Sequence, residues 1–233
     1  MRTKLSSHAF RIGSSRRNFL RQCSWAAALF TVPGVFAGEL ARKPARTPPV
    51  EEGPFYPPKL PLDTDNDLII VNDAITPAIG EITHLSGRLL DAQGDPIRNA
   101  TIEIWCVDHE GVYLADRGNQ TKFDKNFQGF GRFLTSSTGE YYFRTLKPVR
   151  YPGRQAPHVH FKIKMKNHEP WTTQLFIKGY PGNVRDGVYQ DIGDAAARES
   201  VCADFLPLKT SRIGELAARF DIVLGVTPVE ADH

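Results

Sequence analysis

Cysteine is scarce in this chain, with three residues in 233, and one of them, Cys23, lies in a basic N-terminal stretch. No C-x-x-C pair and no zinc-ligand spacing occurs, which excludes zinc fingers, thioredoxin-type redox motifs and disulfide-dense scaffolds. Cys106 and Cys202 remain, able either to pair in an oxidising compartment or to stay as buried thiols. No apolar run reaches the roughly 20 residues that a membrane-spanning helix needs, so no span is expected in the mature chain. Acidic residues are absent from residues 1–37, which carry Arg2, Lys4, Arg11, Arg16, Arg17 and Arg21. The formal net charge is +3, so the body beyond that stretch is slightly acidic. It lacks the basic footprint of a nucleic-acid-binding protein.

The basic stretch reads as a twin-arginine signal peptide. Ser15-Arg16-Arg17-Asn18-Phe19-Leu20 precedes a short apolar segment from Trp25 to Val35, and Val35-Phe36-Ala37 is a small-residue cleavage site. A leader over residues 1–37 implies export to the periplasm or the extracellular space. Residues 38–50, rich in Pro, Ala and basic side chains (Lys43-Pro44-Ala45-Arg46-Thr47-Pro48-Pro49), have linker composition. A single folded domain is expected over residues 51–233.

That domain is written mostly in strands. Residues 82–90 read as a strand ending at the turn Asp91-Ala92-Gln93-Gly94-Asp95-Pro96. Residues 100–107 form a second, with Ile102, Ile104 and Cys106 on one face and Glu103 and Trp105 on the other. Residues 141–146, 158–165, 173–177 and 220–224 follow, and 194–203 and 211–219 read as short helices. The expected fold is all-β, a sandwich of two sheets with few short helices.

His158-Val159-His160 carries the first chemical signal. Residues two apart on a strand share a face, so both imidazoles can reach one metal ion. Val159, Phe161, Ile163 and Met165 make the opposite face apolar. The histidine face therefore meets solvent, a pocket or a second layer. Lys162 and Lys164 continue it and read as solvated.

Tyr141-Tyr142-Phe143-Arg144-Thr145-Leu146-Lys147-Pro148, then Tyr151-Pro152, then Pro157-His158-Val159-His160-Phe161 resemble the signature of the intradiol ring-cleavage dioxygenases. This family includes the catechol, protocatechuate and hydroxyquinol dioxygenases. Glu52-Gly53-Pro54-Phe55-Tyr56-Pro57 is similar to their N-terminal segment. Ser86-Gly87-Arg88-Leu89-Leu90-Asp91 with Ala100-Thr101-Ile102-Glu103-Ile104-Trp105 resembles their first hairpin, Gly111-Val112-Tyr113 the tyrosine beyond it, and Thr173-Gln174-Leu175-Phe176-Ile177 a later strand. The resemblance spans roughly residues 51–195.

The resemblance implies a non-haem iron(III), Fe(3+), held by Tyr113, Tyr151, His158 and His160. It also implies a catechol-type aromatic substrate, O2 as co-substrate, a cis,cis-muconate-type product, and assembly into a homo-oligomer. Iron(III) is a hard ion that favours anionic oxygen, and a phenol with a pKa of about 10 loses its proton on binding such a cation. Two tyrosinates and one hydroxide would balance its charge and make the site tolerable in a buried pocket. Tyr151 would be the tyrosinate displaced by substrate.

Arg154 and Gln174 fall near the family's charge-stabilising arginine and its polar residue on the oxygen side. The family spacing is Arg-x-x-His. Here it is Arg154-Gln155-Ala156-Pro157-His158, so either Gln155 takes the role or a bulge restores Arg154. Phe55 and Tyr56 are candidates to touch the ring, and Val112 and Leu114 to form an apolar pocket around it. A non-catalytic prealbumin-like β-sandwich would share the hairpin and turn motifs but has no use for the four ligands together. A cupin-type site would need a glutamate soon after the histidines, and Glu169 is too far along.

Overall fold

The computed structural model describes residues 45–72 and 75–226. The arginine pair, the apolar segment and the cleavage site of the leader lie outside them. Among the described residues there are ten strands: β1 (Ile82–Leu90), β2 (Thr101–Trp105), β3 (Phe130–Leu134), β4 (Glu140–Leu146), β5 (His158–Lys164), β6 (Trp171–Ile177), β7 (Cys202–Ala203), β8 (Leu206–Pro207), β9 (Leu216–Arg219) and β10 (Ile222–Val223). Two short helices, α1 (Gly187–Gln190) and α2 (Ala195–Ser200), lie between β6 and β7.

The strands form two five-stranded sheets. In the first, β1 runs antiparallel to β4 and pairs in parallel with β9 and, further along, β10. β8 adds to β9. The second sheet has the order β3-β2-β5-β6-β7. The expected β-sandwich with few short helices is what the chain adopts. Its core lies between the sheets, where Ile102, Ile104, Val159, Phe161, Ile163 and Leu175 meet Leu85, Leu89, Phe143, Ala218 and Ile222.

Gly87 sits mid-strand in β1, where a side chain would ordinarily be favoured. A Cβ there would lie 1.9 Å from the Phe220 carbonyl oxygen and 2.8 Å from the Tyr141 hydroxyl. The Tyr141 hydroxyl donates to that same carbonyl, and this is where the parallel pairing passes from β9 to β10.

Several boundaries differ from expectation. Residues 211–219 are not a helix. Leu216 and Ala218 alternate inward in β9, so pairing along β1 wins over local helical preference. The helix expected over 194–203 is shortened to α2, capped by the Asp194 side chain accepting from Ala197 N at 2.9 Å, because Cys202 and Ala203 pair with β6. The strand expected at 220–224 is the short β10, and β3 forms where the sequence pattern marks no strand.

The packed body also begins before Glu51. Thr47 and Val50 are buried; Thr47 N donates to Val223 O and Val50 N to Thr172 O, each at 3.0 Å. The described part of the linker, residues 45–50, thus contains docked chain. Its prolines offer no N–H that burial would orphan. Both Cys106 and Cys202 are free thiols. Cys106 lies in the inter-sheet core, where burial pushes its pKa up to about 12. No helix among the described residues is long and apolar enough to cross a membrane.

Gly87→Ala is expected to destabilise the fold by about 1–3 kcal/mol, because the backbone oxygen it meets has nowhere to move. A denaturant-unfolding midpoint equal to that of the unsubstituted protein would refute this account of β1.

Candidate metal centre

The outer face of the second sheet is polar yet buried. His158, His160, Glu103 and Gln174 on this face are each no more than 2% exposed. The register places Trp105 opposite His160 and His160 opposite Gln174. A second layer covers them, with Phe55, Tyr56, Leu60, Leu114, Val149 and Tyr151 packed on Trp105, Val107, Tyr113 and Phe130.

Two loops bring phenols to the histidines. Asp108 organises the first by accepting from Glu110 N and Val112 N at 3.0 Å and from Asp124 N at 2.7 Å. Gly111 in this loop has φ +82°, and a Cβ there would lie 3.0 Å from Arg150 O and 3.3 Å from Tyr151 Cβ. Its missing side chain lets the Tyr113 loop close on the Tyr151 loop. Phe55 stacks on the Tyr113 ring at 4.6 Å and meets Tyr151 edge-on at 6.0 Å. Trp105 lies parallel to His160 at 4.7 Å.

Three donor atoms form a close triangle. Tyr113 Oη is 3.2 Å from His158 Nε2 and 3.1 Å from His160 Nε2, and the two nitrogens are 3.2 Å apart. The Tyr151 ring is 5.1 Å from that of Tyr113 and 5.6 Å from that of His158. The structure therefore brings together all four residues named as ligands from the sequence. His158 Nδ1 is 2.7 Å from Ala156 O and donates to it, leaving the Nε2 lone pair facing the triangle. His160 Nδ1 has no hydrogen-bond partner among the described residues.

Burial drives every member of the set towards its neutral form. It pushes His158 down to about 3 and His160 well below the usual imidazole range, the Arg154 charge adding to both and the neighbouring His158 to His160. It raises Tyr113 far above the usual phenol range, with Tyr151 beside it contributing. Two lone-pair nitrogens and two reluctant phenols around one point fit a highly charged cation, which alone would draw out phenolates there. Among the described residues no group of three His, Cys, Asp or Glu side chains offers a metal site; this candidate centre has two imidazoles, and phenols complete its donor set.

Arg154, not Gln155, reaches the centre. Its Nη1 lies 3.3 Å from His158 Nε2 and its Nη2 donates to Gln174 Oε1 at 3.0 Å. The Gln155 backbone N–H instead donates to Asp186 at 2.8 Å. Gln174 is fully buried, and its Nε2 donates to Glu51 O at 3.0 Å. A cleft of about 210 Å³ opens beside the donors, lined among others by Gly53, Phe55, Tyr151, Arg154 and His160. Phe55 thus lines the cleft. Tyr56 turns to Glu103, and Leu114 packs in the aromatic cluster behind Tyr113; neither it nor Val112 is among the residues that line the cleft.

A dioxygenase family model matches residues 51–226. The chain belongs to the intradiol dioxygenase family. It is 33% identical over 164 residues to the protocatechuate 3,4-dioxygenase beta chain of Burkholderia cepacia, covering 65% of this chain and 69% of that one. It is 27% identical over 194 residues to the hydroxyquinol 1,2-dioxygenase of Corynebacterium glutamicum, covering 74% of this chain and 61% of that one. The catechol 1,2-dioxygenase of Acinetobacter sp. ADP1 shares the fold, with a TM-score of 0.59 at 21% identity over 91% of this chain and 79% of that one.

Within this intradiol dioxygenase the two lysines beyond the histidines are not solvated spectators. Lys162 Nζ pairs with Glu52 at 2.6 Å and sits 3.9 Å above the Tyr56 ring. Lys164 Nζ reaches Glu103 at 2.9 Å, and Arg132 grips the same carboxylate with Nε and Nη2 at 3.1 and 2.7 Å. Tyr56 donates to Glu103 at 2.9 Å and meets Trp105 edge-on at 5.1 Å. A fully buried carboxylate had to recruit cations from neighbouring strands, so the strand's polar face was paired inward.

Burial alone would raise the Glu103 pKa, but hydrogen bonds from Lys164, Arg132 and Tyr56 outweigh it and hold the group below its ordinary value of 4.5. Its stabilisation is therefore complete above that value and lost as pH falls through the depressed one. Glu103→Gln should cost about 1–2 kcal/mol at neutral pH, limited by the solvent that still reaches Arg132 and Lys164. The gap between variant and parent in denaturant midpoints should close on acidification; a gap independent of pH would contradict the ion cluster.

Proposed function

We propose that the chain is a non-haem iron(III) enzyme that inserts both atoms of O2 into a catechol-type ring and opens it between the hydroxylated carbons to a cis,cis-muconate-type product. The observation that carries this reading is the convergence of Tyr113, His158 and His160 within 3.2 Å, with Tyr151 beside them at the cleft. Bound iron(III) would supply the charge that draws protons from the phenols, holds the substrate as a catecholate and activates the ring towards dioxygen.

The protein's part follows from burial and position. Tyr113 is 2% exposed and covered by Phe55, which suits a permanent ligand. Tyr151 is only partly buried and lines the cleft. Burial raises its pKa, while hydrogen bonds with Tyr113 and Arg154 and the Arg154 charge oppose that rise. This favours Tyr151 as the ligand that yields to substrate and takes up a substrate proton. The Arg154 guanidinium stabilises negative charge on the bound ring. Gln174, with its amide bonded to Arg154 and Glu51, keeps that guanidinium in place on the oxygen side.

Purified protein should contain about one iron per chain, set by this single donor group, absorb visible light through tyrosinate-to-iron charge transfer, and consume oxygen with catechol, protocatechuate or hydroxyquinol. Tyr113→Phe should bleach the colour and abolish turnover. A colourless protein after iron reconstitution, or full activity in the Tyr113 variant, would overturn the assignment.

The leader motif supports export through the twin-arginine route, which carries folded proteins. Replacing Arg16 and Arg17 together by Lys should leave the chain in the cytoplasmic fraction. Equal export of this variant and the parent would argue against that route.

A further inference from the structure

One carboxylate outside the donor set holds the loop that carries Arg154. The Asp186 side chain is 1% exposed and that of Arg154 is 12% exposed. Both Asp186 oxygens lie on Arg154 Nε, at 3.1 and 3.0 Å. Oδ2 also accepts from Gln155 N at 2.8 Å and Ala156 N at 3.0 Å, and Oδ1 from Tyr189 N at 3.1 Å. Gly182 lets the two segments meet, since a Cβ there would lie 2.1 Å from Gln155 O.

We propose that Asp186 is a positioning residue that folds the segment between Arg154 and His158 and aims the Arg154 guanidinium at the metal centre; the proposal rests on the function proposed above. Two consecutive N–H groups converging on one carboxylate oxygen fold Gln155 and Ala156 into a tight bend, which draws Arg154 back towards the histidines. The ion pair is made through Nε alone. A carboxylate gripping the Nε and Nη edge would occupy half of the fork. Here Nη1 stays beside His158 Nε2 and Nη2 on Gln174 Oε1. The guanidinium is thus held from behind, and each Nη, engaged through one N–H, keeps its second N–H for negative charge on a bound catecholate.

Asp186→Asn tests this, because an amide can still cap α1 but must turn its NH2 towards one of the donor groups the carboxylate now accepts. Iron content and the visible band should match the parent, since all four ligands remain. The kcat/KM for whichever of catechol, protocatechuate and hydroxyquinol the parent turns over best should fall about tenfold to a hundredfold, as for other groups that orient a site residue. Combined with Arg154→Ala it should cause no further loss, because a residue acting through Arg154 has nothing left to position. In the metal-free protein the NMR signal of Arg154 Nε–H, assigned by its absence in Arg154→Lys, should exchange slowly in the parent and rapidly in Asp186→Asn. Asp186→Ser, which keeps a cap for α1, should show the same losses if the Asn variant folds poorly. Parental kcat/KM in a folded variant, or a loss that adds to that of Arg154→Ala, overturns the proposal. If the parent takes up no iron and consumes no oxygen with catechol, protocatechuate or hydroxyquinol, the functional reading fails. The Nε–H signal then decides the positioning alone: lost in the variant, Asp186 holds Arg154; retained, it does not.

Discussion

The architecture turns on a strand that is buried on both sides. On β5, Val159, Phe161 and Ile163 fill the inter-sheet core, while His158 and His160 face a second layer that excludes water almost as well. An apolar face needs only shape and area, but a buried polar face needs a partner for every donor and acceptor. Much of the irregular chain serves that need. Residues 51–56 lie over the outer face, the Glu103 carboxylate gathers Arg132, Lys164 and Tyr56, and the loops of Tyr113 and Tyr151 close over the imidazoles.

The closure relies on a few carboxylates that collect backbone N–H groups in the loops. Asp108 holds the turn that ends in Tyr113, and Asp186 the bend that leads from Arg154 to His158. Each replaces a sheet ladder where the chain cannot continue as strand, so loop residues acquire fixed positions without regular structure. Aromatic faces complete the scaffold. Phe55 backs Tyr113 and Trp105 backs His160, leaving the donor edges of those rings as their polar outlets. The intradiol dioxygenase fold thus supplies a rigid, dry donor set with one partly exposed phenol at the cleft.

Local sequence was informative wherever a residue's environment followed from its immediate neighbours. The bounds of β1 match the expected 82–90, because a turn with Gly and Pro closes a run of alternating apolar residues. The shared face of His158 and His160 followed from strand period alone. Residues 211–219 misled because their composition suits a helix, while parallel pairing with β1 is a contact with residues more than a hundred positions earlier. Lys162 and Lys164 misled for a related reason. Their side chains turn to Glu52, Tyr56 and Glu103, which strand alternation places on the same side but cannot place within reach. Asp186 and the stacking of Trp105 on His160 carried no local signal.

The sequence by itself determined the sandwich, the direction of the two imidazoles, and, through family resemblance, the four residues at the centre. Only the tertiary structure decided that Arg154 rather than Gln155 faces that centre, that Tyr113 is the buried phenol and Tyr151 the accessible one, and that Phe55 rather than Tyr56 borders the cleft. The physical reason is one of range. Strand alternation is a two-residue repeat written in adjacent letters, whereas the aim of a loop side chain is set by whatever accepts its hydrogen bonds. For Arg154 that acceptor lies 32 residues further along the chain.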